Sequence, residues 1–167
     1  DLADLLAAIG VTQADWVGTS MGGLIGMALA AGAEPRLNGL IRRLVLNDIG
    51  PFLPKAALAR INTYLGLDLR FASLDALEAH LREIHAGFGP LTDAEWRHHA
   101  EHSAARREDG RFGLNYDQRL GAPMKTGPIE DVDLWSVWDQ ITCQVLVIRG
   151  TDSDLLLAET AAEMTRR

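Results

Sequence analysis

A short serine-containing segment limits what this chain can fold into more than any other part of its sequence. Residues 18–22, GTSMG, follow an apolar run around Trp16 and Val17 and precede a stretch of small and apolar residues, 23–31. The first run is typical of a buried strand, and the second is typical of a helix that packs closely on a sheet. The sequence therefore predicts that Ser20 lies on a tight corner between a strand and a helix.

Such a corner suits a nucleophilic hydroxyl group. The chain segments on either side of the serine pass close together there, so we expect Gly18 and Gly22 to supply the necessary room. The N-terminus of the following helix directs free N–H groups and a partial positive charge at Ser20. The backbone N–H of Met21 is then placed to donate to an oxyanion. The pattern favours Ser20 as a nucleophile, and an inert serine in a glycine-rich turn is the alternative.

The segment GTSMGG at residues 18–23 resembles the corner that carries the nucleophile in α/β-hydrolase-fold enzymes. It is close to that of the small-ester and lactone hydrolases that carry a helical cap, and the resemblance covers nearly the whole chain. It implies an α/β fold, namely the central part of a mostly parallel α/β-hydrolase sheet with an inserted helical cap. It also implies a catalytic serine, acid and histidine in that order along the chain.

The order of apolar runs predicts three segments. Strands around Trp16 and at residues 44–47, with a helix between them, form one parallel strand–helix–strand unit. Helical patterns without a strong strand then follow as far as Trp138. For this order, the resemblance implies a hydrolase core over residues 1–50, a cap over 51–138, and the core again over 139–167.

Local signals within the predicted cap mark the beginnings of two helices. Ser73 precedes an apolar helical pattern and can cap its N-terminus. Thr92 and Glu95 have the spacing of a capping box. The sequence therefore predicts helices that begin directly after Ser73 and after Thr92.

The apolar run at residues 145–148 predicts a third strand. The resemblance implies that the catalytic acid follows this strand, where Asp154 matches better than Asp152. Asp48, after the second strand, is the other candidate because some family members carry the acid there, although turn formation also explains it. The resemblance places the histidine after Asp154 by a loop, a helix and one more strand. We therefore expect it beyond Arg167, and we expect the 167-residue chain by itself to be inactive.

Two other functions fit parts of the sequence. Residues 98–102, HHAEH, match the H-x-x-E-H pattern, which on a helix puts His98 and His102 on one face as in some zinc peptidases. A charged helix face explains the same letters, and no metal is required by the serine chemistry. A non-catalytic binding protein on the same scaffold is the second alternative. The single cysteine, Cys143, excludes an intrachain disulfide and is expected to be a small buried hydrophobe.

Charge and composition bear on the partners. The net charge of -7 argues against nucleic acids and anionic membranes, since both favour a basic patch. No apolar run approaches the roughly 18 residues of a membrane span, and we expect a cytoplasmic location. Aromatic residues of the predicted cap, such as Phe71 and Trp96, indicate a small or medium apolar acyl substrate, although core packing explains most of them equally well. The chemistry expected of Ser20 requires no cofactor.

Overall fold

The computed structural model describes residues 2–34 and 38–167, which form two compact units. The first unit comprises Asp1–Leu58 and Glu130–Arg167, and the second comprises Ala59–Ile129. The second unit lies inside the range 51–138 that the sequence predicts as a cap. Its role as a cap stays a prediction.

Helices and strands follow one another along the chain, with three consecutive helices in its middle. In order they are α1 (Leu2–Ala8), β1 (Ala14–Thr19), α2 (Met21–Ala30), β2 (Ile41–Asn47), β3 (Phe52–Leu53), α3 (Lys55–Asn62), α4 (Leu74–Ile84), α5 (Asp93–Ser103), β4 (Ala104–Arg106), β5 (Phe112–Leu114), β6 (Val132–Asp133), α6 (Trp135–Trp138), β7 (Gln144–Ile148) and α7 (Ala158–Met164).

A three-stranded parallel sheet forms the centre of the first unit. Its strand order is β1-β2-β7, so β2 is hydrogen-bonded on both sides. Val17 of β1 is paired with Val45 of β2, which in turn is paired with Leu146 of β7. The α/β fold and the parallel strand–helix–strand unit predicted from the sequence are confirmed. The second predicted strand begins three residues earlier than expected, at Ile41.

Helix α2 covers one face of this sheet. Leu44 and Leu46 of β2 are fully buried. A Cβ atom at Gly26 would lie 2.5 Å from Cδ1 of Trp16, so the close packing of helix and sheet requires glycine there. The indole Nε1 of Trp16 also donates to the carbonyl oxygen of Gly22 at 2.9 Å. This hydrogen bond fastens the first turn of α2 to β1.

The other face of the sheet carries exposed apolar side chains. Val17 is 72% exposed, Leu146 58% and Ile148 48%. Parallel sheets are normally covered on both faces, and an uncovered apolar face favours association in water.

Helices α4 and α5 form the centre of the second unit. Leu77 and Leu81 of α4 are buried against Ala100 of α5, and Phe71 and Phe112 pack on this cluster. The burial explains why the apolar residues of α4 recur at helical spacing.

Both helix starts predicted in this unit are confirmed. The hydroxyl oxygen of Ser73 accepts the N–H of Ala76 at 3.1 Å. Thr92 accepts the N–H of Glu95, and the Glu95 carboxylate accepts the N–H of Thr92 in return. These contacts satisfy N–H groups that have no partner inside a helix.

Short strands interrupt the predicted cap range, where the sequence indicates only helices. β4 and β5 form an antiparallel hairpin around a turn at Asp109 and Gly110, and β3 is paired with β6. Strands of two or three residues are too short to show an alternating pattern, so their pairing comes from tertiary contacts.

Among the described residues, none of the helices combines the length and the apolar character of a membrane span.

Candidate active site

Ser20 lies between the last residue of β1 and the first residue of α2, at the corner that the sequence predicts. Its backbone has φ 50° and ψ −119°, a conformation that residues other than glycine rarely adopt. Its N–H donates to the carbonyl oxygen of Asn47 at 3.3 Å, and its own carbonyl accepts from Gly23 and Leu24 at 2.9 and 3.1 Å. These hydrogen bonds hold the strained backbone between sheet and helix.

The hydroxyl group of Ser20 is not used to cap α2. Serine at this position normally accepts a hydrogen bond from the helix, yet the Ser20 side chain makes no capping hydrogen bond and the residue is exposed. A structural serine at a helix start would use its hydroxyl. The arrangement instead leaves the hydroxyl accessible from solvent.

The two glycines around Ser20 have different surroundings. A Cβ atom at Gly18 would lie 2.3 Å from the carbonyl oxygen of Gly22, closer than real contacts allow. A Cβ atom at Gly22 would meet no atom within 4 Å. The expectation that both glycines supply room is therefore correct only for Gly18, because only the Gly18 side of the close approach faces backbone atoms.

Met21 is the first residue of α2, directly after Ser20. Its N–H has no acceptor within the helix, and it lies at the positive end of the helix dipole. Beside it, the Asn47 side-chain amide donates to the hydroxyl of Thr19 at 3.0 Å and ties the ends of β1 and β2 together. The corner therefore carries the hydroxyl of Ser20 and the N–H of Met21 on a backbone that hydrogen bonds hold in place.

The carboxylate of Asp48 connects the ends of β2 and β7. Its Oδ1 accepts the N–H of Gly150 at 3.0 Å, and its Oδ2 accepts the hydroxyl of Ser153 at 2.8 Å. The backbone of Asp48 has φ 55°, and its N–H donates to the carbonyl oxygen of Ile148 at 2.8 Å. Asp48 forms the turn expected from the sequence. In addition, each of its two carboxylate oxygens accepts a hydrogen bond from the loop after β7.

The other two candidate acids, Asp152 and Asp154, are exposed residues of the loop that follows β7. The hydrogen bonds between this loop and Asp48 come from Gly150 and Ser153, which the sequence analysis did not single out. Their position next to two aspartates, directly after an apolar strand, was the available signal. Asp154 as the catalytic acid stays a prediction.

All five histidines belong to the second unit: His80, His85, His98, His99 and His102. The rings of His98 and His102 lie on the exposed side of α5, with centroids 4.0 Å apart. Over residues 2–34 and 38–167, no group of three or more histidine, cysteine or acidic side chains could hold a metal ion. The zinc-peptidase alternative therefore has no support from the geometry of this part of the chain.

Cys143 precedes β7 and is half-buried, less buried than its sequence context predicts. Burial raises the pKa of its thiol group above the usual value. A raised pKa lowers the fraction of reactive thiolate, so Cys143 is not suited to act as a nucleophile.

His85 and His99 form a hydrogen bond between their rings, with His85 Nδ1 2.9 Å from His99 Nε2. The His85 ring also stacks on Phe88, with centroids 4.4 Å apart. Burial, followed by the nearby rings of His99 and His80, lowers the pKa of His85 from 6.5 to about 4. A hydrogen bond between two ring nitrogens needs one of them unprotonated, so acid weakens this contact.

We expect the protein to lose stability as the pH falls from about 6.5 towards about 4. In this window the unfolded chain binds a proton at His85 and the folded chain does not, so the free energy of unfolding rises with pH. The melting temperature between pH 7 and pH 4 measures this effect. His85→Phe keeps a ring against Phe88 but cannot titrate, and its melting temperature should fall less steeply with acid. Equal slopes for both proteins would contradict the prediction.

Comparison with known proteins connects this arrangement to a family. Residues 1–167 match the model described as the alpha/beta hydrolase family. The chain is 42% identical over 178 aligned residues to the 3-hydroxybutyrate-oligomer hydrolase of Cupriavidus necator; the match covers 100% of this chain and 58% of that protein.

Solved structures show the same fold. A Rickettsia typhi protein has a TM-score of 0.88 and 32% identity, with 99% of this chain and 55% of that chain covered. An alpha/beta hydrolase from Novosphingobium aromaticivorans has a TM-score of 0.83 and 35% identity, over 100% and 59%. E-2-(acetamidomethylene)succinate hydrolase has a TM-score of 0.79 and 25% identity, over 99% and 59%. The chain thus spans somewhat more than half the length of these relatives.

Proposed function

The chain belongs to the alpha/beta hydrolase family, and on that premise we propose that it provides the nucleophile and the acid of a serine hydrolase for carboxylic esters. The observation that carries this proposal is the conformation of Ser20. A non-glycine residue with φ 50° costs folding free energy, and its hydroxyl is exposed and unused by the helix that it precedes. A catalytic role explains this cost, whereas a packing role does not.

The proposed reaction runs through an acyl-enzyme. The hydroxyl oxygen of Ser20 attacks the ester carbonyl carbon and gives its proton to a histidine, which passes it to the departing alcohol. The N–H of Met21 donates to the oxyanion that forms, a contribution of about 3–4 kcal/mol for one such donor. Water then attacks the acyl group, releases the carboxylic acid and returns the proton to Ser20.

We assign the acid of this mechanism to Asp48. A triad acid fixes the orientation and tautomer of the histidine ring and stabilises its charged form, which requires a carboxylate that cannot turn. Both oxygens of Asp48 are held by donors from the loop after β7. Asp154 is the alternative acid from the family resemblance. The same resemblance places the histidine after the acid in chain order.

Short esters of hydroxy acids are the proposed substrates. The relative from Cupriavidus necator that is 42% identical to this chain is named for hydrolysis of 3-hydroxybutyrate oligomers. These oligomers are small-molecule esters, they suit acyl-enzyme chemistry, and their cleavage needs no cofactor. The first substrates to measure are therefore the dimer and trimer of 3-hydroxybutyrate, together with a 4-nitrophenyl butyrate reporter.

Covalent labelling of the full-length protein tests the proposal. A fluorophosphonate reacts with an activated serine hydroxyl, so we expect one label per chain, located at Ser20 by peptide mass analysis. Ser20→Ala should remove both the label and ester turnover, because no other group takes over the covalent step. Labelling and turnover are measured on the same protein sample.

Ser136→Ala is the matched control, since Ser136 is an exposed serine on the short helix α6. It should label and turn over substrate like the unchanged protein. Turnover that survives in Ser20→Ala would overturn the nucleophile assignment. Binding of 3-hydroxybutyrate esters without labelling or turnover in the unchanged protein would instead identify a non-catalytic binding protein.

A further inference from the structure

The loop after β7, residues 150–156, is built around the side chain of Arg149. The guanidinium group donates to three carbonyl oxygens of this loop: Leu156 at 2.7 Å, Thr151 at 3.0 Å and Ser153 at 3.3 Å. A planar guanidinium holds several acceptors in one fixed arrangement. The loop is therefore shaped by Arg149 at the end of the strand, and Ser153 occupies a defined place in it.

The hydroxyl group of Ser153 has one possible direction for its proton. Its oxygen accepts the N–H groups of Leu155 and Leu156 at 3.2 and 3.1 Å. A serine hydroxyl has two acceptor sites and one proton, so both acceptor sites are used by these two donors. The remaining proton points at Oδ2 of Asp48, 2.8 Å away.

The carboxylate of Asp48 is in turn fixed about its last rotatable bond. Ser153 holds Oδ2 and the backbone N–H of Gly150 holds Oδ1. Each carboxylate oxygen can accept two hydrogen bonds, so each keeps one acceptor site in a set direction. Loss of the Ser153 donor would leave Oδ1 as the single anchored oxygen and let the carboxylate turn.

We propose that Ser153 is a positioning residue that aims the Asp48 carboxylate at the catalytic histidine. The inference rests on the proposed function, because it requires Asp48 to act as the acid. In this role Ser153 never touches the substrate. It acts by fixing the acceptor site of Asp48 that orients the histidine ring, and a small misplacement of such a group costs rate rather than binding.

The test uses four forms of the full-length protein: unchanged, Ser153→Ala, Asp48→Asn and the double variant. Ser153→Ala should lower kcat by about 10- to 100-fold and leave KM nearly unchanged. In the Asp48→Asn background, the same Ser153→Ala change should lower kcat by less than about twofold, because its only route to the histidine is already lost. Ser153→Thr keeps the hydroxyl and should recover most of the lost activity.

A purely structural role of Ser153 predicts a different result. Its loss would then lower kcat by the same factor with or without the Asp48 carboxylate, and that outcome overturns the inference. An unchanged kcat in Ser153→Ala overturns it as well. Full activity in Asp48→Asn would instead overturn the assignment of the acid in the proposed function. Thr151→Ala, an exposed position in the same loop whose carbonyl contact with Arg149 survives the change, is the matched control and should behave like the unchanged protein.

Discussion

Asp48→Asn is expected to lower kcat/KM of the full-length protein by about 10³- to 10⁴-fold, whereas Asp154→Asn should lower it by less than about tenfold. The amide of asparagine keeps the shape of the carboxylate but loses its charge and half of its acceptor capacity. It therefore no longer stabilises the protonated histidine or selects its tautomer. We expect the residual rate to come from the Met21 N–H and from substrate binding.

The pair of variants also separates two hypotheses about the acid. Both aspartates lie at the carboxyl end of the sheet, Asp48 after β2 and Asp154 after β7, and both changes remove one charge. Steady-state hydrolysis of 4-nitrophenyl butyrate gives kcat/KM for each variant, and circular dichroism verifies that each is folded. If Asp154→Asn lowers kcat/KM more than Asp48→Asn does, the catalytic acid is Asp154, as the family resemblance implies.

Gly18→Ala is expected to destabilise the protein towards the upper end of the range of about 1–3 kcal/mol for overpacked sites. The new methyl group would lie 2.3 Å from the carbonyl oxygen of Gly22, and backbone atoms cannot move aside as a flexible side chain does. The corner that holds Ser20 must shift in response. We therefore also expect fluorophosphonate labelling of Ser20 to slow at least about tenfold.

Gly22→Ala is the matched control for this steric argument. Its methyl group would meet no atom within 4 Å, and position 22 lies in α2. Alanine in a helix is favoured over glycine, so the free energy of unfolding should rise by about 0.5–1 kcal/mol. Urea unfolding measures both variants. Equal destabilisation by the two substitutions would show that the close approach of Gly18 and Gly22 is not what excludes a side chain at residue 18.

The features that the sequence predicted correctly depend on residues close together in the chain. The corner at Ser20 follows from glycines two positions away and from the change between strand and helix patterns. The helix starts at Ser73 and Thr92 follow from hydrogen bonds that span three residues. A local pattern is sufficient for such features because the contacts that form them are local.

The fixing of the Asp48 carboxylate was decided by tertiary structure. Asp48 is 102 residues from Gly150 and 105 residues from Ser153, the two donors that fix its carboxylate. The residues next to Asp48 in the sequence do not show whether its carboxylate only forms a turn or is also fixed by hydrogen bonds. Gly150 and Ser153 come close to Asp48 only when β2 and β7 pair. The two glycines around Ser20 show the same division between sequence and tertiary structure. The sequence determined that the chain passes close to itself at Ser20. Only the packed backbone decided that residue 18 is the position with no space for a side chain, because that depends on where the carbonyl of Gly22 points.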